Sequence, residues 1–290
     1  MAEYQVLPAY FVIDNSPSMS ERSMGESTAF GQAITIFEEL YEEMANSPMV
    51  SDMLRVGAIT FNDEARSVLP LGNKNDLADW LKAGSHRALT TGGKATYYGK
   101  AFSLLHTEII KDLNQIKADK LDGVSFTPFR PVVFFFTDAE ANDDVTLRNK
   151  AFEELTDSNF IYKPNIVCIG VGDASFDNLK PYAAGTDRGE SVKNPQYKAG
   201  YDKYVFIATP GTSPAKAIAA IIKLFISSLI TSLTSGAASA QTAQSGDNGN
   251  NSGGSNGSGG NNGEVDDPFT FDPKKLADPD LQAAFNIVNS

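Results

Sequence analysis

Cysteine is almost missing from this chain. Cys168 is the single thiol in 290 residues, which excludes an internal disulfide and any multi-cysteine metal site. Its setting, "IVCIG", is that of a buried strand residue, where a thiol is ordinarily inert. Histidine is nearly as scarce. His86 and His106 are the only two, and neither stands in a pattern that pairs a base with a nucleophile. Positive charge is in deficit, with 24 Lys plus Arg against 36 Asp plus Glu and a formal net charge of −12. That argues against nucleic acid as the partner, because phosphate binding needs clustered cations. No phosphate-cradling Walker motif occurs, so any nucleotide hydrolysis would belong to another protein. The opening residues "MAEYQVLPAY" lack the basic start and apolar run of a secretory leader, and a cytoplasmic protein is expected. Long apolar runs are lacking as well. The nearest, "AIAAIIKLFISSLITSLT" (217–234), carries Lys223 and several hydroxyls, while Ile218, Ile221, Ile222, Phe225, Leu229 and Leu233 follow helical spacing. It reads as a packed helix and not as a membrane span.

What is present is alternation. A strand at Tyr10–Ile13 is followed by Phe30, Ala33, Ile34, Phe37, Leu40, Tyr41 and Met44 at the intervals of one long amphipathic helix. "LRVGAITF" and "ARSVLPL" around Asn62–Asp63 read as a hairpin, and "LADWLK" as a short helix. Tyr98, Ala101, Phe102, Leu105, Ile109, Leu113 and Ile116 mark a second long helix, with "DLNQIKADKLDG" as its solvated end. "RPVVFFFTDAE" is a central buried strand; then come a helix near 145–156, the strand "NIVCIGVG", a helix near 175–183 and the strand "KYVFIA". The pattern predicts an α/β, doubly wound, Rossmann-like sheet, mostly parallel with one antiparallel edge strand and helices on both faces. This domain spans residues 1–235. Residues 236–263 form a Gly/Asn/Ser-rich flexible linker, and within it 245–263 comprise 8 Gly, 6 Asn, 4 Ser and 1 Asp. Residues 264–290 form an acidic tail in which Leu281, Phe285 and Val288 would share one face of a short helix.

In a doubly wound sheet, ligands bind beyond the carboxyl ends of the strands. Three oxygen-bearing segments fall there: "DNSPS" after the first strand, "GGKAT" before the second long helix, and "TDAE" after the central strand. They offer Asp14, Ser16, Ser18, Thr96 and Asp138, with no His or Cys among them. Carboxylates and hydroxyls are ligands for a hard cation, Mg²⁺ or Mn²⁺. Taken singly, each residue also has a plain structural role, since Ser16 and Ser18 suit turns while Asp14 and Thr96 suit helix caps.

The three segments, in this order and on this fold, resemble the von Willebrand factor A domain family and its metal-ion-dependent adhesion site over roughly residues 5–235. The resemblance implies that Asp14, Ser16, Ser18, Thr96 and Asp138 hold the metal and that the protein is an adhesion module, not an enzyme. It also implies that the cation bridges to an exposed Asp or Glu of a protein partner. "ITFNDEARSVLPL", "VGDASFDNLKPYA" and Thr96–Gly99 are similar to bacterial intracellular members, including those encoded in tellurium-resistance clusters. Two positions depart from the family pattern: Ala139 stands where a glycine is usual, and Lys94–Ala95 separate Thr96 from its glycines. A second reading is a subunit assisting a ring-forming ATPase chaperone. A third, a Mg²⁺-dependent phosphohydrolase resembling the haloacid-dehalogenase-like enzymes, is disfavoured because Ser16 stands where those enzymes need a second carboxylate.

The tail poses a separate question, because its acidic residues are of the class the adhesion site would bind. If the last helix leaves the sheet opposite the metal face, the tail acts in trans. Phe269, Phe271, Leu281, Phe285 and Val288 would then dock on a partner or neighbouring copy.

Overall fold

The strands "VVFFFT" and "NIVCIG" are buried at every one of their six residues, and they mark the centre of the sheet. Strands this uniformly buried need helices on both faces. The computed structural model describes residues 2–21, 28–121, 124–138, 140–185, 198–199, 204–208, 220–221, 223–226 and 285–286. In chain order these form β1 (Ala2–Asp14), α1 (Ser18–Glu21), α2 (Ala29–Ile34), α3 (Ile36–Asn46), α4 (Pro48–Met53), β2 (Leu54–Phe61) and β3 (Ala65–Gly72). There follow α5 (Lys74–Lys82), α6 (Tyr98–Ala118), β4 (Lys120–Leu121), β5 (Val124–Pro128), β6 (Val132–Thr137), α7 (Val145–Thr156) and β7 (Asn165–Gly170). The last are α8 (Phe176–Leu179) with a 3-10 turn at Lys180–Tyr182, then β8 (Ala184–Gly185), β9 (Lys198–Ala199), β10 (Val205–Ala208) and β11 (Phe285–Asn286).

The main sheet runs β11-β10-β7-β6-β1-β2-β3. From β10 to β2 every pairing is parallel, with Ala9 opposite Val132 and Leu7 opposite Leu54. β3 closes one edge antiparallel to β2, the expected hairpin. Successive side chains of β6 point to opposite faces. Phe134 stacks on Phe11 at 5.1 Å and meets Phe225 edge-on at 4.9 Å, whereas Phe135 stacks on Phe61 at 5.0 Å and packs against Tyr98 and Phe102. One face therefore carries α3, through Phe37 against Phe11, and the helical residues Lys223–Ile226. The other face carries α6.

Several elements differ from the sequence expectation. The single helix expected over 30–44 is two, α2 and α3. At Thr35 the carbonyl accepts from both Glu38 N and Glu39 N, at 3.1 and 3.2 Å, a locally tightened turn that apolar spacing does not register. The helix near 175–183 is one α-helical turn, α8, and a 3-10 turn. β1 starts eight residues before Tyr10, and its first half pairs with β5, from Ala2 opposite Val124 to Val6 opposite Pro128. Part of the segment read as a solvated helix end is β4, paired with β5. Of residues 217–234, Ala220–Ile221 and Lys223–Ile226 are described and helical, with Ile221, Leu224, Phe225 and Ile226 buried. Among the described residues no helix is long and apolar enough to cross a membrane.

The linker and most of the tail, including Phe269, Phe271, Leu281 and Val288, lie outside the described residues. Phe285 is described, and its local structure differs from the expected helix. It lies in a strand, opposite Ala208 of β10 in the same chain, with Asn286 opposite Ile207. A terminal edge such as β10 presents unpaired N–H and C=O groups, and a short antiparallel strand satisfies them.

Candidate metal centre

β1 and β6 are neighbours in register, so their carboxyl ends deliver Asp14 and the Thr137–Asp138 pair side by side. Asp14 and Asp138 have no solvent-exposed surface, Ser16 is almost as buried, and Ser18 is half-buried at the start of α1. A chain of hydrogen bonds joins them. Ser16 N donates to Asp14 Oδ1 at 2.8 Å, the Ser16 and Ser18 hydroxyls lie 3.0 Å apart, and Ser18 Oγ donates to Asp138 Oδ1 at 2.8 Å. The other oxygen of Asp14, Oδ2, accepts from Thr137 Oγ1 at 2.7 Å, and Thr137 Oγ1 in turn accepts from Tyr98 OH at 3.3 Å. Four of the five sequence candidates thus form one bonded constellation, in which the D-x-S-x-S spacing lets the chain turn back and present both serine hydroxyls.

Thr96 reaches the same end of the sheet by a different route. It is buried in the loop that opens α6. That loop is fastened to the end of β1, because Gly92 N donates to Asn15 O at 2.8 Å and Asn15 Nδ2 donates to Thr90 O at 3.0 Å. Thr96 itself is clamped by Asn142, whose Oδ1 accepts from Thr96 N at 3.0 Å and whose N donates to Thr96 O at 2.8 Å. None of the hydrogen bonds described links its side chain to the other four. The loop needs glycine at Gly93, where φ is +79° and a Cβ would collide with Asn62 and Asp63. The two residues inserted before Thr96 therefore extend the loop over the β2–β3 turn, where Lys94 N donates to Asp63 Oδ1 at 3.3 Å. Ala139, the other departure, lies outside the described residues.

Sequence reasoning passed over two residues. Thr137 sits directly before a candidate ligand, and its place in "TD" was the available signal. Asn142, in the loop "ANDDV", carries no local signal; only the fold shows that it holds Thr96. Beside it, Asp143 accepts from Gly99 N at 2.7 Å and from Arg148 Nη1 at 3.1 Å, fixing the start of α6 to α7.

The electrostatics of the pair are unfavourable as they stand. Burial is the main cause that raises the Asp14 carboxyl to about 6, the negative charge of Asp138 adds to it, and the hydrogen bonds from Thr137 and Ser16 work against it. A cation between the two carboxylates would reverse that shift. Among the described residues no group of three or more His, Cys, Asp or Glu could hold a metal. With only two carboxylates, the remaining ligands would be hydroxyls and water. That donor set fits a hard divalent cation which keeps part of its hydration shell.

Residues 9–140 match the von Willebrand factor type A domain. The matched segment begins in β1 and ends two residues beyond Asp138. No curated protein matches the chain. Among solved structures, two of proximal thread matrix protein 1 from the mussel byssus are similar, with TM-scores of 0.51 and 0.50 at 13% and 14% identity. Each alignment covers 78% of this chain and 48% of the byssus protein, so the chain spans about half of that protein's length. A third structure of that protein, described with a zinc-occupied MIDAS motif, aligns with a TM-score of 0.48 and 13% identity over the same shares. At these identities the likeness is one of fold alone. That likeness extends to the mostly parallel sheet with helices on both faces.

Proposed function

We propose that the chain is a cation-dependent protein-interaction module and not an enzyme. Asp14, Ser16, Ser18, Thr96 and Asp138 would hold one Mg²⁺, or Mn²⁺, and the partner would present an Asp or Glu side chain. The observation that carries this reading is the hydrogen-bonded run Asp14–Ser16–Ser18–Asp138 at the carboxyl ends of β1 and β6. Bound there, a divalent cation would supply an electrophilic position open to a carboxylate from outside. The chain's own residues do the rest. Neutral hydroxyls leave more of the cation's charge unneutralised than a cage of carboxylates would, and Thr137 and Asn142 hold Asp14 and Thr96 in place.

The setting is proposed on the sequence resemblance alone: a cytoplasmic bacterial complex of the kind encoded in tellurium-resistance clusters. The test is affinity purification of the tagged chain with Mg²⁺ present, followed by elution with EDTA and mass spectrometry. The proposal expects a protein partner that EDTA releases, with capture abolished by changing one Asp or Glu of that partner to Asn or Gln. A partner retained in EDTA, or one indifferent to every such substitution, would refute the cation bridge.

A further inference from the structure

A cavity of about 510 Å³ adjoins the cation residues on the same end of the sheet. Two of its walls are continuations of elements that build the metal centre. Ser20 lines it from α1, the helix that begins with Ser18, and Thr90 and Thr91 line it from the loop that carries Thr96. Asn15, the neighbour of Asp14, bonds directly to the Thr90 carbonyl. The cavity therefore begins one hydrogen bond away from the end of β1. A peptide advances about 3.3–3.6 Å per residue, so two or three residues carry it roughly 7–11 Å from the acid that meets the cation.

The lining says what kind of group belongs there. Phe30 and Ile34 of α2 with Leu89 of the 84–91 segment give apolar surface. At the far end, Glu38 Oε1 accepts from Arg87 Nη2 at 2.8 Å and lies 2.9 Å from His86 Nε2, and the His86 ring packs 5.7 Å from Trp80. The Glu38 and Arg87 charges satisfy one another, so that wall demands no ionic partner, although His86 Nδ1 is buried without a hydrogen-bond partner. The volume lies within the usual range for a preformed binding site and exceeds what one side chain needs.

We infer that this cavity is a specificity subsite for the partner, receiving an uncharged apolar side chain two or three residues from the acid that meets the cation. The occupant is an extended peptide segment of acid–spacer–apolar pattern. Its side chain rests on Phe30, Ile34 and Leu89, and its backbone runs past the hydroxyls of Ser20 and Thr91. This inference rests on the cation-bridging reading, and it selects among acidic partners where the cation alone does not.

The probe is an immobilised library of heptapeptides with a fixed central Asp and randomised flanks, presented to the full chain with excess Mg²⁺ and, in parallel, with EDTA. The expected result is Mg²⁺-dependent capture enriched in Leu, Ile, Met or Phe at one fixed offset from the Asp. Two variants act on separate walls. Leu89→Asp places a charge on the apolar surface, and Gly31→Phe fills the space from an exposed position on α2 whose Cβ would have only Thr28 Oγ1, at 3.2 Å, as a close neighbour. Each should weaken the selected peptide about tenfold or more, with Mg²⁺ affinity unchanged. Mg²⁺-dependent capture without any apolar preference, or with preference intact in both variants, overturns the subsite and leaves the cation bridge standing. No Mg²⁺-dependent capture of any Asp peptide overturns the cation bridge itself, and the subsite with it.

Discussion

Asp14 is the residue on which most of the chemistry converges. Its carboxyl is raised to about 6 chiefly by burial, so the folded chain without metal holds an extra proton between the ordinary carboxylate range and pH 6. The stabilising contribution of that proton is complete below the unfolded value and is lost as pH rises through about 6. At neutral pH the metal-free protein therefore carries an uncompensated buried charge. Asp14→Asn should remove it and, in EDTA at pH 7, raise stability by up to about 2–3 kcal/mol, while abolishing the stabilisation that Mg²⁺ gives the wild type. Thermal melts of both proteins in EDTA and in Mg²⁺ check this; a mutant still stabilised by Mg²⁺ would contradict it. Protons and metal compete for the same oxygens, so Mg²⁺ affinity should fall as pH drops below about 6. Burial acts on Cys168 in the same direction. Burial pushes its thiol well above the usual range, so a thiol reagent at pH 8 should leave native protein unmodified and label it only in denaturant. Rapid labelling of the native chain would contradict the buried strand position.

At the scale of elements, the strands and the longer helices were legible because their signals are local. Uniform apolar runs marked β6 and β7, and 3.6-residue spacing marked α6. What escaped depends on partners distant in sequence. β5 has mixed burial and no clean alternation, and it is a strand because the first half of β1 lies beside it. The split at Thr35 is a backbone hydrogen-bonding event that leaves the hydrophobic pattern intact. The candidate site divides the same way. Asp14, Ser16, Ser18, Thr96 and Asp138 were readable from three short motifs, whereas Asn142 became visible only when the fold brought its loop onto Thr96. The loop before α6 makes its own prediction. Gly93→Ala forces a left-handed backbone position, costing about 1–2 kcal/mol before the collision with Asn62 and Asp63 is relieved. The loop should shift, and Mg²⁺ affinity should fall severalfold while the sheet stays folded by circular dichroism. Unchanged affinity would mean that the loop does not position Thr96 for the metal.

For the whole molecule, the sheet ends in two different ways. The hairpin closes the β3 side, while β10 is covered by two residues from the far end of the chain. The antiparallel register places Phe285 opposite Ala208, the last residue of β10, and Asn286 opposite Ile207. Removing residues 264–290 should expose the β10 edge and promote pairing between copies, seen as concentration-dependent dimerisation in sedimentation that the full chain lacks. A truncated chain that stays monomeric would show that the edge needs no cover.

The central claim is that five oxygen-bearing side chains at the ends of β1 and β6 and before α6 bind one divalent cation. Calorimetric titration of Mg²⁺ into the purified chain, beside Asp14→Ala and Asp138→Ala, tests it most directly. The account predicts a single-site isotherm for the wild type, accompanied by proton release below pH 6, and no binding heat above dilution for either variant. Equal isotherms for all three proteins, or no binding by the wild type, would contradict it.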